Sequence, residues 1–146
     1  MCGIAGWIDY ARDMKSERST IGAMTRTLFT RGPDASGLWL DADAALGHQR
    51  LSIIDPEHGS QPMQADEQDP ASPVVVFNGE IYNFRELREE LVLCGHRFQT
   101  RCDTEVLLHA YLEWGPQSAQ RLNGIFAYAI WDPGPAGSCS PGTRWV

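Results

Sequence analysis

The sequence predicts an α+β chain whose sheets are largely antiparallel. Three observations lead there. β-type runs follow one another over short connections, apolar stripes at helical spacing interrupt them in three places, and the two never settle into a regular βαβ rhythm. The chain has no internal repeat, no GxGxxG and no Walker loop, which argues against a doubly wound nucleotide-binding fold.

Each element has its own reason. Residues 2–8 are apolar or small up to Asp9 and read as a buried strand. Ile21, Met24 and Leu28 recur at helical spacing, so residues 19–29 read as a helix that RGPD (residues 31–34) stops. Strands are expected over 36–40 and 45–54. The stretch 55–73 holds four prolines and many polar residues and reads as a long loop. The β-branched run 74–77 reads as a strand that ends in an Asn78-Gly79 turn.

Asn83 with Glu86 three residues on suggests a capped helix, with Phe84, Leu87, Leu91 and Cys94 as its apolar stripe and Gly95 at its end. Phe98 and Thr100 suggest a short strand. Asp103 is placed to cap a helix that runs to Trp114 and closes at Gly115-Pro116, and residues 125–131 read as a buried strand after the Asn123-Gly124 turn. The last 14 residues, PGPAGSCSPGTRWV, hold three prolines and three glycines and lack any hydrophobic period, so no strand or helix is expected there.

Composition narrows the partners. A chain of 146 residues suits one ordinary domain, and a net charge of −7 argues against nucleic acid or an anionic membrane as the main partner. The first apolar run lacks a basic flank and breaks at Asp9, and no run reaches the ~20 apolar residues of a membrane span. A cytoplasmic place is expected. Cys2, Cys94, Cys102 and Cys139 form no CxxC pair and no histidine stands beside them at ligand spacing, so they read as free thiols with no metal site.

Cys2 is the candidate nucleophile. Methionine is trimmed when the next side chain is small, and the exposed residue then carries both a thiol (reference pKa about 8.5) and an α-amine (about 7.7–8.0). The amine can act as base toward its own thiol, with no histidine required. The same residue also fits the start of a buried strand. Asn78 and Gly79 offer an amide NH2 and an unobstructed backbone N–H for a developing oxyanion, or a plain turn. Arg50 offers a fork for a carboxylate, or a surface charge, and Glu80 and Asp103 offer acceptors for an ammonium, Asp103 being also a helix cap.

In order along the chain, MCGIAG, RGPDASG, GHQRLSIID, GSQPM, FNGEIYNFRELREEL, GHRF, CDTEVLLHAYLEWG and RLNGIFAYAIWD resemble the glutaminase domain of glutamine-dependent asparagine synthetases. These belong to the class II glutamine amidotransferases, in the N-terminal-nucleophile hydrolase group. RLSIID and NGEIYN resemble that branch rather than the phosphosugar or phosphoribosyl amidotransferases. The resemblance implies a four-layer αββα sandwich and hydrolysis of L-glutamine to glutamate and ammonia. It implies Cys2 as nucleophile, Asn78 and Gly79 as oxyanion hole, and Arg50 on the glutamine α-carboxylate. Glu80 and Asp103 would hold the α-ammonium, and the backbone of Leu51, Ser52, Ile53 and Ile54 would line the pocket. Hydrolysis itself needs no cofactor.

The resemblance covers residues 1–132. The family continues with a basic ARDRxGxKPLYY-like segment, further glutaminase strands and a synthetase domain that binds ATP, Mg²⁺ and aspartate, and this sequence has the Pro/Gly tail instead. The chain is therefore read as a partial glutaminase domain lacking its C-terminal strands, with an irregular, disordered tail over 133–146. Eleven arginines against one lysine hint at a GC-rich gene in which a shifted frame would yield such a tail. The expected partner is a synthetase domain or subunit, or a second copy in a homodimer. A silent remnant, a glutamine-binding module, or a subunit feeding ammonia to another acceptor are the other readings.

Overall fold

The computed structural model describes residues 1–52, 55, 58–134 and the backbone of 142–145. Two antiparallel sheets stack face to face. The first has the order β1 (Gly3–Ile8), β3 (Ala44–Arg50), β2 (Ala35–Leu40), and the second β4 (Met63–Gln64), β5 (Val74–Ile81), β6 (Gly124–Asp132), β7 (Gly142–Trp145). Helix α1 (Arg18–Arg26) covers the outer face of the first sheet, and α2 (Phe84–Leu93) with α3 (Asp103–Trp114) covers that of the second. The result is an α+β chain with antiparallel sheets, as its pattern predicts, arranged as the four-layer αββα sandwich that the family resemblance implies.

Strand alternation builds the layers. Val74 and Val76 of β5 and Ala129 and Trp131 of β6 turn inward against Ala44 and Leu46 of β3, with Ile4, Ile8 and Trp39 at the margin. The residues between them, Val75, Phe77, Tyr128 and Ile130, turn outward onto Leu87, Leu91, Val106 and Leu107 of the two helices. Ala45 of β3 faces the other way, onto Met14 and Ile21 under α1. Among the described residues no helix is long and apolar enough to cross a membrane.

Several sequence expectations need correction. β5 does not turn at Asn78-Gly79. It runs on to Ile81 and pairs with β6 throughout, Asn78 opposite Ala127 and Gly79 opposite Phe126. A long partner strand outweighs a local turn signal. β3 ends at Arg50 rather than running to 54. Residues 98–100 form no strand, because the N–H groups of Gln99 and Thr100 donate to the Glu105 carboxylate (2.7 and 2.8 Å) and so have no ladder to join. The loop 55–73 contains the two-residue β4. Asn83 stands at the N-cap of α2 as expected, but its side chain makes no capping bond. Its side chain donates to Arg121 O (2.9 Å) and accepts from Asn123 N (2.9 Å), tying the start of α2 to the approach of β6. The tail, read as free of strands, carries β7 over Gly142–Trp145, antiparallel to β6. Residues 135–141 and 146 lie outside the described residues, Cys139 among them.

His48 sits fully buried between the sheets, its Nε2 donating to Phe77 O at 3.1 Å. Burial lowers its pKa from 6.5 to about 4, with the nearby Arg50 charge adding to the effect and the Phe77 carbonyl opposing it. Between those two values the unfolded chain takes up a proton that the folded chain refuses. The stability from neutral His48 is thus whole above pH 6.5 and is lost as pH falls toward 4, on the order of 3 kcal/mol. Urea unfolding at pH 7 and pH 4 should show His48→Gln losing less stability than the native chain by about that amount. Equal losses would refute this account.

Candidate active site

A cavity of about 240 Å³ opens where the two sheets meet the start of α3. Its lining includes Cys2, Arg50, Leu51, Asn78, Gly79, Glu80 and Asp103. Residues far apart in the chain thus face one space of a size suited to a small solute. Among the described residues, the charged side chains on its wall are one guanidinium, Arg50, and two carboxylates, Glu80 and Asp103. Among the described residues no group of three or more His, Cys, Asp and Glu could hold a metal ion.

Cys2 precedes β1 and is half-buried. Its Sγ accepts from Leu51 N (3.3 Å) and lies 3.7 Å from Leu51 O. Its carbonyl accepts from Arg31 Nε (3.0 Å), and Asp34 of the same RGPD turn accepts from Ser52 N (2.8 Å). The RGPD turn therefore clasps the chain on both sides of the thiol. It lies so close to β3 that a Cβ on Gly32 would strike Gln49 O. The sequence marked RGPD as a helix stop and as part of the family resemblance, with no role assigned to it.

Arg50 ends β3, nearly buried, and its Nη2 donates to Asp55 O (2.7 Å). Asp55 holds a positive φ of 46°, and its carboxylate accepts from Arg101 N (2.8 Å) and contacts His58 Nδ1 (3.0 Å). The Arg101 N–H bond, more than any other contact, holds the Asp55 carboxyl below the usual carboxylate range. Asp55 was not singled out in the sequence. A short acidic residue after an apolar run carries little signal until its carbonyl is seen to fix Arg50. Ser52, expected in the pocket wall, does not line the cavity, and its N–H is taken by Asp34. Ile53 and Ile54 lie outside the described residues.

Asp103 is the first residue of α3 rather than its cap, a position held by Cys102. It is buried and accepts from Ile81 N (3.1 Å). Burial pushes its carboxyl up, and the Glu80 charge adds to this, while the Ile81 N–H and the amides at the start of α3 pull the other way. Cys102 also lines the cavity. Burial raises its thiol pKa, and its Sγ lies 2.9 Å from Thr100 Oγ1.

The edge of β5 shapes the floor. The N–H groups of its even-numbered residues face β6, as the bond from Tyr82 N to Asn123 O at the end of the pairing shows. The odd-numbered ones face away from β6. Beyond β4, Phe77 N donates to Gln61 Oε1 (2.6 Å) and Ile81 N to Asp103 Oδ2 (3.1 Å). Gly79, between them, directs its N–H to the cavity side. Asn78 Oδ1 beside it is buried without a hydrogen-bond partner in the structure.

A family model described as a glutamine amidotransferase domain matches residues 1–136. The chain belongs to this family. Among curated relatives, this amidotransferase domain is 46% identical over 132 residues to asparagine synthetase [glutamine-hydrolyzing] 3 of Bacillus subtilis, covering 90% of this chain and 21% of the relative. It is 42% identical over 132 residues to the nodule asparagine synthetase of Pisum sativum, covering 90% and 22%. The chain thus spans about a fifth of the length of these relatives. Among solved structures, it is similar to the glutamine phosphoribosylpyrophosphate amidotransferase from B. subtilis complexed with ADP and GMP. That match has a TM-score of 0.53 and 28% identity, covering 64% of this chain and 22% of the other.

Proposed function

We propose that this amidotransferase domain hydrolyses L-glutamine through Cys2. The observation that carries the reading is the gathering of Cys2, Arg50, Asn78, Gly79, Glu80 and Asp103 around one cavity. Removal of Met1, which lines the cavity, leaves Cys2 with a free α-amine. That amine takes the thiol proton as Sγ attacks the side-chain amide carbon of glutamine. The carbonyl electron pair moves onto oxygen, where the Asn78 NH2 and the Gly79 N–H receive it. The tetrahedral species collapses with the proton delivered to nitrogen, ammonia leaves, and water hydrolyses the γ-glutamyl thioester.

Arg50 takes the α-carboxylate. Asp103 and Glu80 take the α-ammonium, and a bound ammonium beside Asp103 favours its ionised form against the effect of burial. Of the expected wall, Leu51 lines the pocket. Hydrolysis calls for no cofactor. The ammonia is proposed to serve asparagine formation from aspartate, with ATP and Mg²⁺ bound by a synthetase portion outside this chain. The 46% identity to an asparagine synthetase supports that acceptor over the phosphoribosyl one, whose enzyme is 28% identical.

Intact mass spectrometry before and after a glutamine-like diazoketone tests the reading. One adduct, mapped to Cys2 on chains that have lost Met1, is the expected result. Chains without Met1 that take no adduct would show that the pocket does not engage glutamine.

A further inference from the structure

Gln61 occupies an unusual place, and no step of the mechanism above uses it. β4 pairs with β5 at only two positions, Met63 opposite Val75 and Gln64 opposite Val74. The next ladder position on β5 is Phe77. Its N–H is met there not by a strand but by the side-chain oxygen of Gln61, at 2.6 Å. The other end of the same amide, Nε2, donates to Thr104 Oγ1 at 3.2 Å, one residue after Asp103 in α3. Gln61 and Thr104 both line the cavity.

This arrangement has a physical consequence. If the backbone of β4 ran on along β5, it would take the N–H of Phe77 and then that of Gly79 into a regular ladder. A side chain reaching across ends the ladder one residue pair early. The Phe77 donor is satisfied, as a buried donor must be, and the Gly79 donor stays available. On the far side Asp103 closes the edge in the same way at Ile81. One amide thus fixes the strand that carries Asn78 and Gly79 and links it to the helix start that carries Asp103.

We propose that Gln61 is a positioning residue for the oxyanion site, acting as a side-chain ladder stop that holds the Gly79 N–H open and in place. The inference rests on Cys2 attacking glutamine with Asn78 and Gly79 receiving the oxygen. Its signature is selective. Loss of Gln61 weakens states that carry a negative oxygen at that site, and leaves ground-state recognition by Arg50 and Asp103 nearly intact.

The test compares two ligands on the native chain, Gln61→Met and Thr104→Val. L-Glutamate reports ground-state binding. The γ-semialdehyde of glutamate reports the oxyanion site, because Cys2 Sγ forms a bond to its aldehyde carbon while the carbonyl pair moves onto oxygen and the thiol proton is transferred to the amine. Gln61→Met is expected to bind the aldehyde about 10- to 100-fold more weakly, with glutamate affinity within about 3-fold of native. Thr104→Val leaves the Phe77 bond but frees the other end of the amide, and a smaller loss of the same kind is expected. Equal aldehyde affinity in native and Gln61→Met chains overturns the proposal. If Gln61→Met does not fold, Thr104→Val decides alone, and an unchanged ratio of aldehyde to glutamate affinity overturns it. A native chain lacking Met1 that forms no aldehyde adduct refutes the Cys2 reading itself, and this inference falls with it.

Discussion

Cys2→Ala is expected to lower glutamine hydrolysis by at least about 10³-fold while leaving the fold and glutamate binding intact. The rate effect is large because the Cys2 sulfur is the only protein atom in the proposed mechanism that bonds to the substrate carbon, and nucleophile deletions cost far more than any single hydrogen-bond donor. The stability effect is small because Sγ is half-buried and its contacts are with the Leu51 backbone. The backbone clasp on this residue, Arg31 Nε to Cys2 O, does not involve the side chain. Glutamate and ammonia release measured beside the native chain checks the first half, and urea unfolding checks the second. Hydrolysis that survived the change would end the case for thioester chemistry at this site.

The contrast between Cys2 and its supports explains what was legible in the sequence. β-branched runs such as Val74 to Val76 report burial directly, so the layers could be anticipated, but of the expected helical stripe only Ile21 is buried, since Met24 is exposed and Leu28 lies beyond the end of α1 at Arg26. Residues whose chemistry is written in their type, Cys2, Arg50, Glu80 and Asp103, could be named as candidates, and the structure brings them to one cavity. What stayed hidden depends on distant partners. Asn78-Gly79 has the local character of a turn, and only the pairing with residues 126 and 127 makes it strand. Asn83 has the character of a cap, yet its amide is drawn to Arg121 and Asn123. Asp55 and Gln61 act through a carbonyl and an amide on residues tens of positions away or across a loop, and no local pattern marks that.

Gly79→Ala is expected to damage stability and rate together, unlike Cys2→Ala. Gly79 holds φ at 152°, a conformation that residues with a side chain rarely adopt. A Cβ there would strike Ile125 O and come within 2.5 Å of Phe126 Cα, the backbone of the paired strand rather than a side chain that could swing aside. β5 and β6 would have to part at the point where they are meant to pair. Strain and overpacking together should cost about 2–4 kcal/mol. The same displacement moves the Gly79 N–H and the neighbouring Asn78, and a shift of about 1 Å at such donors lowers rate by about 100-fold.

Asn78→Ala separates the two effects. Its Oδ1 has no hydrogen-bond partner among the described residues, so removing that end of the side chain breaks no bond to them. Asn78→Ala should therefore keep native urea stability while its rate falls by about 10²–10³-fold, as expected for loss of one oxyanion donor. If instead Gly79→Ala unfolds at the native urea midpoint, the clash does not form and β5 has room that the register denies. If Asn78→Ala hydrolyses glutamine at the native rate, the oxyanion is received elsewhere, and the unpartnered Oδ1 of Asn78 is left without a catalytic reason.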